Sequence, residues 1–302
     1  MENNCYFVSS RGLLKSCTFH SPNPISSCST DVKYLYNMLQ SNKMFNGMSI
    51  YVCSELLSFF VNKILPYLTH TFVLATGDSD LCVPKNALSK KQTLILLKSK
   101  LLLKWYTQNS RIEENYKIVQ MPIGLDYHTI FNYPKCPWRL PEEGNLPKQQ
   151  EEILLNIIKE SKPFYERNNN IYVNFTVKND RFFQRQLSLD TIPRELMEIN
   201  TAFIPRTKTW KNMINYSFVL SPTGVGLDCH RTWEAICLGC IPIVCVKEFK
   251  TMFKELPVLI VNNWTEVTKD LLENTIKDFK NRTFNKDKIL LQYWTTQINR
   301  FI

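Results

Sequence analysis

Arg231 and Glu234 stand one helical turn apart, directly after a glycine-bearing loop, Ser221-Pro222-Thr223-Gly224-Val225-Gly226-Leu227-Asp228-Cys229-His230. A guanidinium on one flank of a helix can meet phosphate oxygens while a carboxylate on the next turn accepts hydrogen bonds from ribose hydroxyls. That chemistry suits a nucleoside diphosphate. Gly224 and Gly226 are two of only 8 glycines in the chain, and they are expected to take positive φ and let backbone approach a ligand closely. Asp228 is the expected N-cap of the following helix, whose free amides and positive dipole end would face the anion. His230, beside the loop, reads as a phosphate or sugar contact. The plainer alternative is a helix packed on a sheet with an Arg–Glu surface pair, which has no use for two loop glycines.

Two further clusters could move a proton. Asp78 and Asp80 lie in Thr76-Gly77-Asp78-Ser79-Asp80, and Asp126 and His128 lie in Pro122-Ile123-Gly124-Leu125-Asp126-Tyr127-His128. Each cluster follows an expected strand end, where loops of an α/β fold meet ligands. Either pair could supply a general base; equally, Asp78 could cap a turn and Asp126 could fix its own loop. Arg11, with Gly12 after it, and Arg206 are secondary cations for a departing phosphate. The Asp78-x-Asp80 spacing superficially resembles a metal-binding pair, yet helix dipole and arginine can do the same work, so no obligatory metal is expected. Cys237 and Cys240 have redox or zinc spacing, but with Trp233 and Ile236 they fall at i, i+3, i+4 and i+7 and read as a buried stripe.

The elements that must position these groups alternate. Residues 5–9, 49–53, 71–75 and 116–121 read as strands, 55–68 and 90–108 as helices, which predicts a parallel sheet wrapped by helices. A proline- and tryptophan-rich stretch, 131–147, carries no period and reads as a connector, followed by a helix over 148–160. The second half alternates again: strands at 170–176, 202–205, 216–220, 241–246 and 257–261, with helices at 181–186, 208–214, 271–279 and 289–299 and the one that follows the Asp228 cap and ends at Gly239. The expected division is residues 1–131 as an N-terminal Rossmann-like domain, 132–165 as connector and linking helix, 166–284 as a second α/β domain carrying the glycine loop and 285–302 as a terminal helix.

With 302 residues, 44% hydrophobic and 12% aromatic, the chain can bury two cores and is not disordered. The net charge of +10 is spread among 37 basic and 27 acidic residues without a block of like charge, which favours an anionic ligand in a cleft over a nucleic-acid tail. A basic nucleic-acid-binding protein is the competing class; no basic-aromatic surface motif speaks for it. No stretch approaches the roughly 20 apolar residues of a membrane span. No secretory signal is read at the N-terminus, so a cytoplasmic location is expected.

These motifs, together with Ser9-Ser10-Arg11-Gly12, residues 105–109 and above all 221–244, resemble a two-domain glycosyltransferase of the GT-B architecture, most closely the exostosin-like family, including forms encoded by large DNA viruses and some bacteria. The resemblance implies an α/β fold with two Rossmann-like parallel-sheet domains facing an interdomain cleft. It implies inverting transfer from a nucleotide-sugar, a UDP-sugar such as UDP-xylose, to a glycan hydroxyl acceptor. By it, Glu234 would bind ribose, while Arg231 and the amides of Gly224 to Gly226 would bind diphosphate. A viral member would work in the host cytoplasm. A catalytically inactive sugar-nucleotide binder would carry the same donor motifs.

Overall fold

The computed structural model describes residues 2–22, 24, 31–112, 116–178, 180–200 and 202–302. The chain divides into two compact units, one formed by Glu2–Ile123 together with Leu290–Ile302, the other by Gly124–Ile289. Both are α/β with a parallel sheet. The transition falls at Gly124 rather than after residue 131, so the loop carrying Asp126 and His128 belongs with the second unit.

In the first unit, strands β1 (Met48–Cys53), β2 (Phe72–Gly77), β3 (Leu102–Thr107) and β4 (Ile118–Gln120) are hydrogen-bonded in that order, all parallel. Every residue of β1 and β2 is buried, as expected of a sheet covered on both faces, which is why these segments read as apolar runs without alternation. Three expectations are corrected. Residues 5–9 form no strand, only isolated bridges at Phe7 and Ser9, the first of them antiparallel to Leu290. Ser10–Ser16 is a helix, with the Ser9 hydroxyl accepting from the Gly12 amide at 3.0 Å, so Arg11 and Gly12 sit in a first helical turn rather than in a loop. The helix expected over 90–108 stops at Lys98. Beyond Ser99, the Trp105-Tyr106-Thr107 segment pairs with β2, because aromatic and β-branched side chains pack better on a sheet than on that helix.

The second unit contains β5 (Asn168–Val173), β6 (Met197–Ile199), β7 (Tyr216–Leu220), β8 (Ile241–Val244) and β9 (Leu259–Ile260) in the order β6-β5-β7-β8-β9, again parallel. The strand expected at 202–205 is displaced to β6. Pro205 lacks an amide for a ladder and instead precedes the helix Arg206–Met213 as its cap residue, leaving Phe203 exposed. From β5 the chain runs outward to β6 and then returns to place β7 on the other side of β5. This reversal opens a crevice at the carboxyl ends of β5 and β7, the standard ligand position of doubly wound sheets.

The 133–146 segment is irregular, and Arg139 holds it together by donating to the carbonyls of Glu143, Pro134 and Pro141 at 2.7, 2.9 and 2.9 Å. No helix among the described residues is long and apolar enough to cross a membrane.

Candidate functional site

A cavity of about 460 Å³ lies at that crevice, walled by segments that follow three strand ends: Asn174–Lys178 after β5, Asn200–Arg206 after β6, and the loop and helix after β7. The helix is His230–Cys237, and its inner stripe is firmly anchored: Trp233 and Ile236 are fully buried. Arg231 and Glu234 are half-buried and line the cavity together, as do His230 and Val225.

The start of this helix differs from expectation. The N-cap is Cys229, which makes no side-chain cap hydrogen bond. Asp228 turns inward instead, both carboxylate oxygens accepting from the Trp233 indole at 3.0 and 2.9 Å. Its negative charge is thereby committed behind the helix end rather than to a ligand. The loop glycines also differ. Positive φ occurs at Gly47, Gly124 and Gly239, not at Gly224 or Gly226. Gly224 leaves room for Arg185: a Cβ there would lie 2.4 Å from its terminal nitrogen, so the guanidinium would have to move. The turn closes on itself through the Gly224 amide and Gly226 carbonyl at 3.1 Å. Ser221 bonds Thr232 at 2.8 Å, and the Pro222 carbonyl accepts from the Cys229 thiol, so these two residues hold the loop. The Thr223 hydroxyl is buried without a hydrogen-bond partner.

Arg185 carries no role in the sequence reading, yet it is central here. Phe183, at φ 57° in the left-handed region, turns the chain into the helix Gln184–Thr191, and Asp180 caps that start by accepting from the Arg185 amide at 2.5 Å. The Arg185 guanidinium donates to the Thr176 carbonyl at 2.8 Å and keeps a buried Nε without a partner. Arg231 donates to the Asn174 carbonyl at 2.9 Å. Both guanidinium carbons lie near the Phe175 ring, at 5.8 and 5.3 Å from its centroid. Burial pulls the Arg231 pKa down, and the neighbouring charge of Arg185 adds to this while Glu234 opposes it. Neither arginine forms an ion pair with a carboxylate among the described residues. Two clustered, half-buried guanidinium groups with no direct ion pair to neutralise them can hold an anion.

Arg206 also lines the cavity, but it is largely occupied, donating to the Asp126 carbonyl and Gln150 and lying 4.8 Å from the centre of the Trp210 ring. Asp126 stands beside it. Its Oδ1 lies 3.2 Å from His128 Nδ1 and accepts from the Thr129 amide at 2.9 Å. Burial pushes the Asp126 pKa up, but His128, His230, Arg206 and the Thr129 amide outweigh burial and hold it below the usual carboxylate range. The His230 Nδ1 lies 2.7 Å from the Gly124 carbonyl, which can only accept, so Nδ1 carries the proton and Nε2 is left as the basic atom. The His128 and His230 rings are 6.2 Å apart. Asp126, His128 and His230 thus form one cluster, of which Asp126 and His230 line the cavity.

The other candidates lie in the first unit. Asp78, at φ 56°, is buried and pairs with Arg11 at 3.2 Å, so each occupies the other. A Cβ on Gly77 would meet the Gln108 amide at 2.2 Å; that amide accepts from the Asp78 N–H and donates to Pro122 and Ser10. A Cβ is tolerated at Gly12 no better, with Ser9 Oγ 2.9 Å away. The Arg11–Asp78 pair therefore joins a closed polar network among the ends of β1 to β3, while Asp80 is exposed at the surface. Cys237 and Cys240 are buried, and burial drives both thiols upward, Cys240 to about 11. No group of three or more potential metal ligands occurs among the described residues.

No protein-family model matches the chain, and no curated protein matches it.

Proposed function

We propose that the Gly124–Ile289 unit binds a nucleotide-sugar through its diphosphate, and that the protein is an inverting glycosyltransferase of GT-B type transferring the sugar to a glycan hydroxyl. The observation that carries this reading is the pair Arg185 and Arg231, neither of them in a direct ion pair among the described residues, at the switch point of the sheet and at the uncapped amino end of the 230–237 helix. Cations and oriented amides there would stabilise the charge that develops on a departing diphosphate. Glu234, one turn from Arg231, lines the same cavity and would accept from ribose hydroxyls.

Transfer with inversion needs the acceptor oxygen to attack the anomeric carbon as the carbon–phosphate-oxygen bond breaks, its electron pair leaving with the diphosphate. The acceptor proton must go to a base. The Asp126, His128 and His230 cluster suits that role better than Asp78, whose carboxylate is buried against Arg11. Asp126, held ionised, would raise the basicity of a histidine rather than take the proton itself.

The reading is tested by incubating the protein with a panel of UDP- and GDP-sugars, following thermal stabilisation and release of free nucleotide. Stabilisation with release supports a transferase. Stabilisation without release, over a panel of glycan acceptors, marks a binder without turnover. Absence of stabilisation by any nucleotide or by pyrophosphate overturns the anion site.

A further inference from the structure

Trp138 and Phe203 are large aromatic side chains left 44% and 58% exposed, and both line the cavity that contains Arg185 and Arg231. Their rings are stacked, 6.4 Å between centroids and 23° between planes. They come from separate segments, Trp138 from the irregular 133–146 stretch and Phe203 from the turn after β6. The pairing is held in place: Arg139 clips the first segment, and the Arg206 amide donates to the Trp138 carbonyl at 2.8 Å, joining it to the residues just after Phe203. The stacked pair presents exposed aromatic surface to the cavity, and leaving so much apolar area in water is unfavourable unless something covers it.

The cavity thus offers an aromatic wall and a doubly cationic wall. A ligand that satisfies both has a planar aromatic group joined to an anionic one. We infer that Trp138 and Phe203 are a stacking platform for the base of a nucleotide whose phosphates occupy Arg185 and Arg231, an inference that rests on the anion site proposed above. Stacking on such a platform is tolerant of base identity because every base has a π face. The platform would therefore set the preference for a nucleotide over a simple sugar phosphate, while choice among bases falls to other contacts.

Tryptophan fluorescence provides a direct readout, since Trp138 is the exposed tryptophan and Trp105, Trp210, Trp233, Trp264 and Trp294 are all buried. The expected result is quenching by UDP and GDP but not by pyrophosphate or glucose 1-phosphate, with the quench lost in Trp138→Leu. In isothermal titration, Phe203→Leu and Trp138→Leu should each weaken UDP by roughly tenfold while pyrophosphate affinity is kept. Phe203 is exposed, so its variant tests the platform without threatening the fold. UDP binding that is equally tight in both variants overturns the platform and leaves the anion site standing. Equal quenching by glucose 1-phosphate also overturns it, assigning the rings to a sugar face. Failure of both UDP and pyrophosphate to bind the unmodified protein overturns the anion site, and the platform with it.

Discussion

The Arg185 guanidinium occupies the space that a side chain at Gly224 would fill, a built Cβ falling 2.4 Å from its terminal nitrogen. The glycine of the loop and the arginine of a distant helix are therefore one device. Because the obstructing atom is the end of a flexible side chain, Gly224→Ala should leave the melting temperature nearly unchanged while swinging Arg185 aside. Pyrophosphate and UDP affinity should both fall roughly tenfold, as for loss of one charge-assisted contact, and Arg185→Ala should match it. The double variant should be no weaker than either single one; additive losses by titration calorimetry would separate the two residues.

Glu234→Ala should distinguish ribose from phosphate. UDP affinity is expected to fall roughly tenfold with the lost hydrogen bonds, whereas pyrophosphate affinity should hold or rise, because a negative charge beside Arg231 is gone. UDP titrations indistinguishable from those of the unmodified protein would remove Glu234 from the site.

Asp126→Asn should keep UDP affinity within about threefold and lower turnover by roughly a hundredfold, the scale of lost acid–base assistance. Equal turnover would strike Asp126 and His128 from the proton-handling group. The same variant changes acid stability. A carboxyl whose pKa is lower in the folded than in the unfolded chain contributes stability that is complete above the unfolded value of about 3.9 and is lost as pH falls through the folded value. Below about pH 4 the unmodified protein should therefore lose stability faster than Asp126→Asn in denaturant titrations.

Arg11 and Asp78 should behave as a structural pair. Breaking a buried ion pair from one side strands a charge, so Asp78→Asn or Arg11→Met alone should cost about 3–5 kcal/mol in urea unfolding of the first unit. The double variant Arg11→Met/Asp78→Leu should recover much of that loss. A single Asp78→Asn variant with full stability and abolished turnover would return Asp78 to the chemistry.

The loop and helix around Arg231 and Glu234 were legible because every element there is local: an apolar strand, a break at Ser221-Pro222, and an amphipathic helix ended by Gly239. What sequence could not supply was the order of strands. Arg185, Trp138 and Phe203 reach the same cavity only because β6 and β7 flank β5, and nothing in the local pattern of residues 133–206 states that order. The one available signal for Arg185 was its place in the first turn of the helix that follows β5, which becomes informative only once β5 is known to be the switch strand. The pairing of Arg11 with Asp78 was hidden in the same way, since both segments look like ligand loops until the Ser10–Ser16 helix is in place. The Gly224 and Gly226 expectation failed more simply: glycine permits positive φ, but here Gly224 serves close approach.

The helix Leu291–Asn299 belongs with the first unit, burying Leu291, Trp294 and Ile298, taking the Tyr106 hydroxyl on the Gln297 carbonyl and the Ser49 hydroxyl on Asn299. During synthesis, residues 2–123 emerge first yet must wait for this segment, whereas 124–289 are contiguous and can close as soon as they leave the ribosome. Of the two units, the one begun first is thus completed last, and a nascent chain stalled before residue 290 would hold one closed unit beside an incomplete, sticky one.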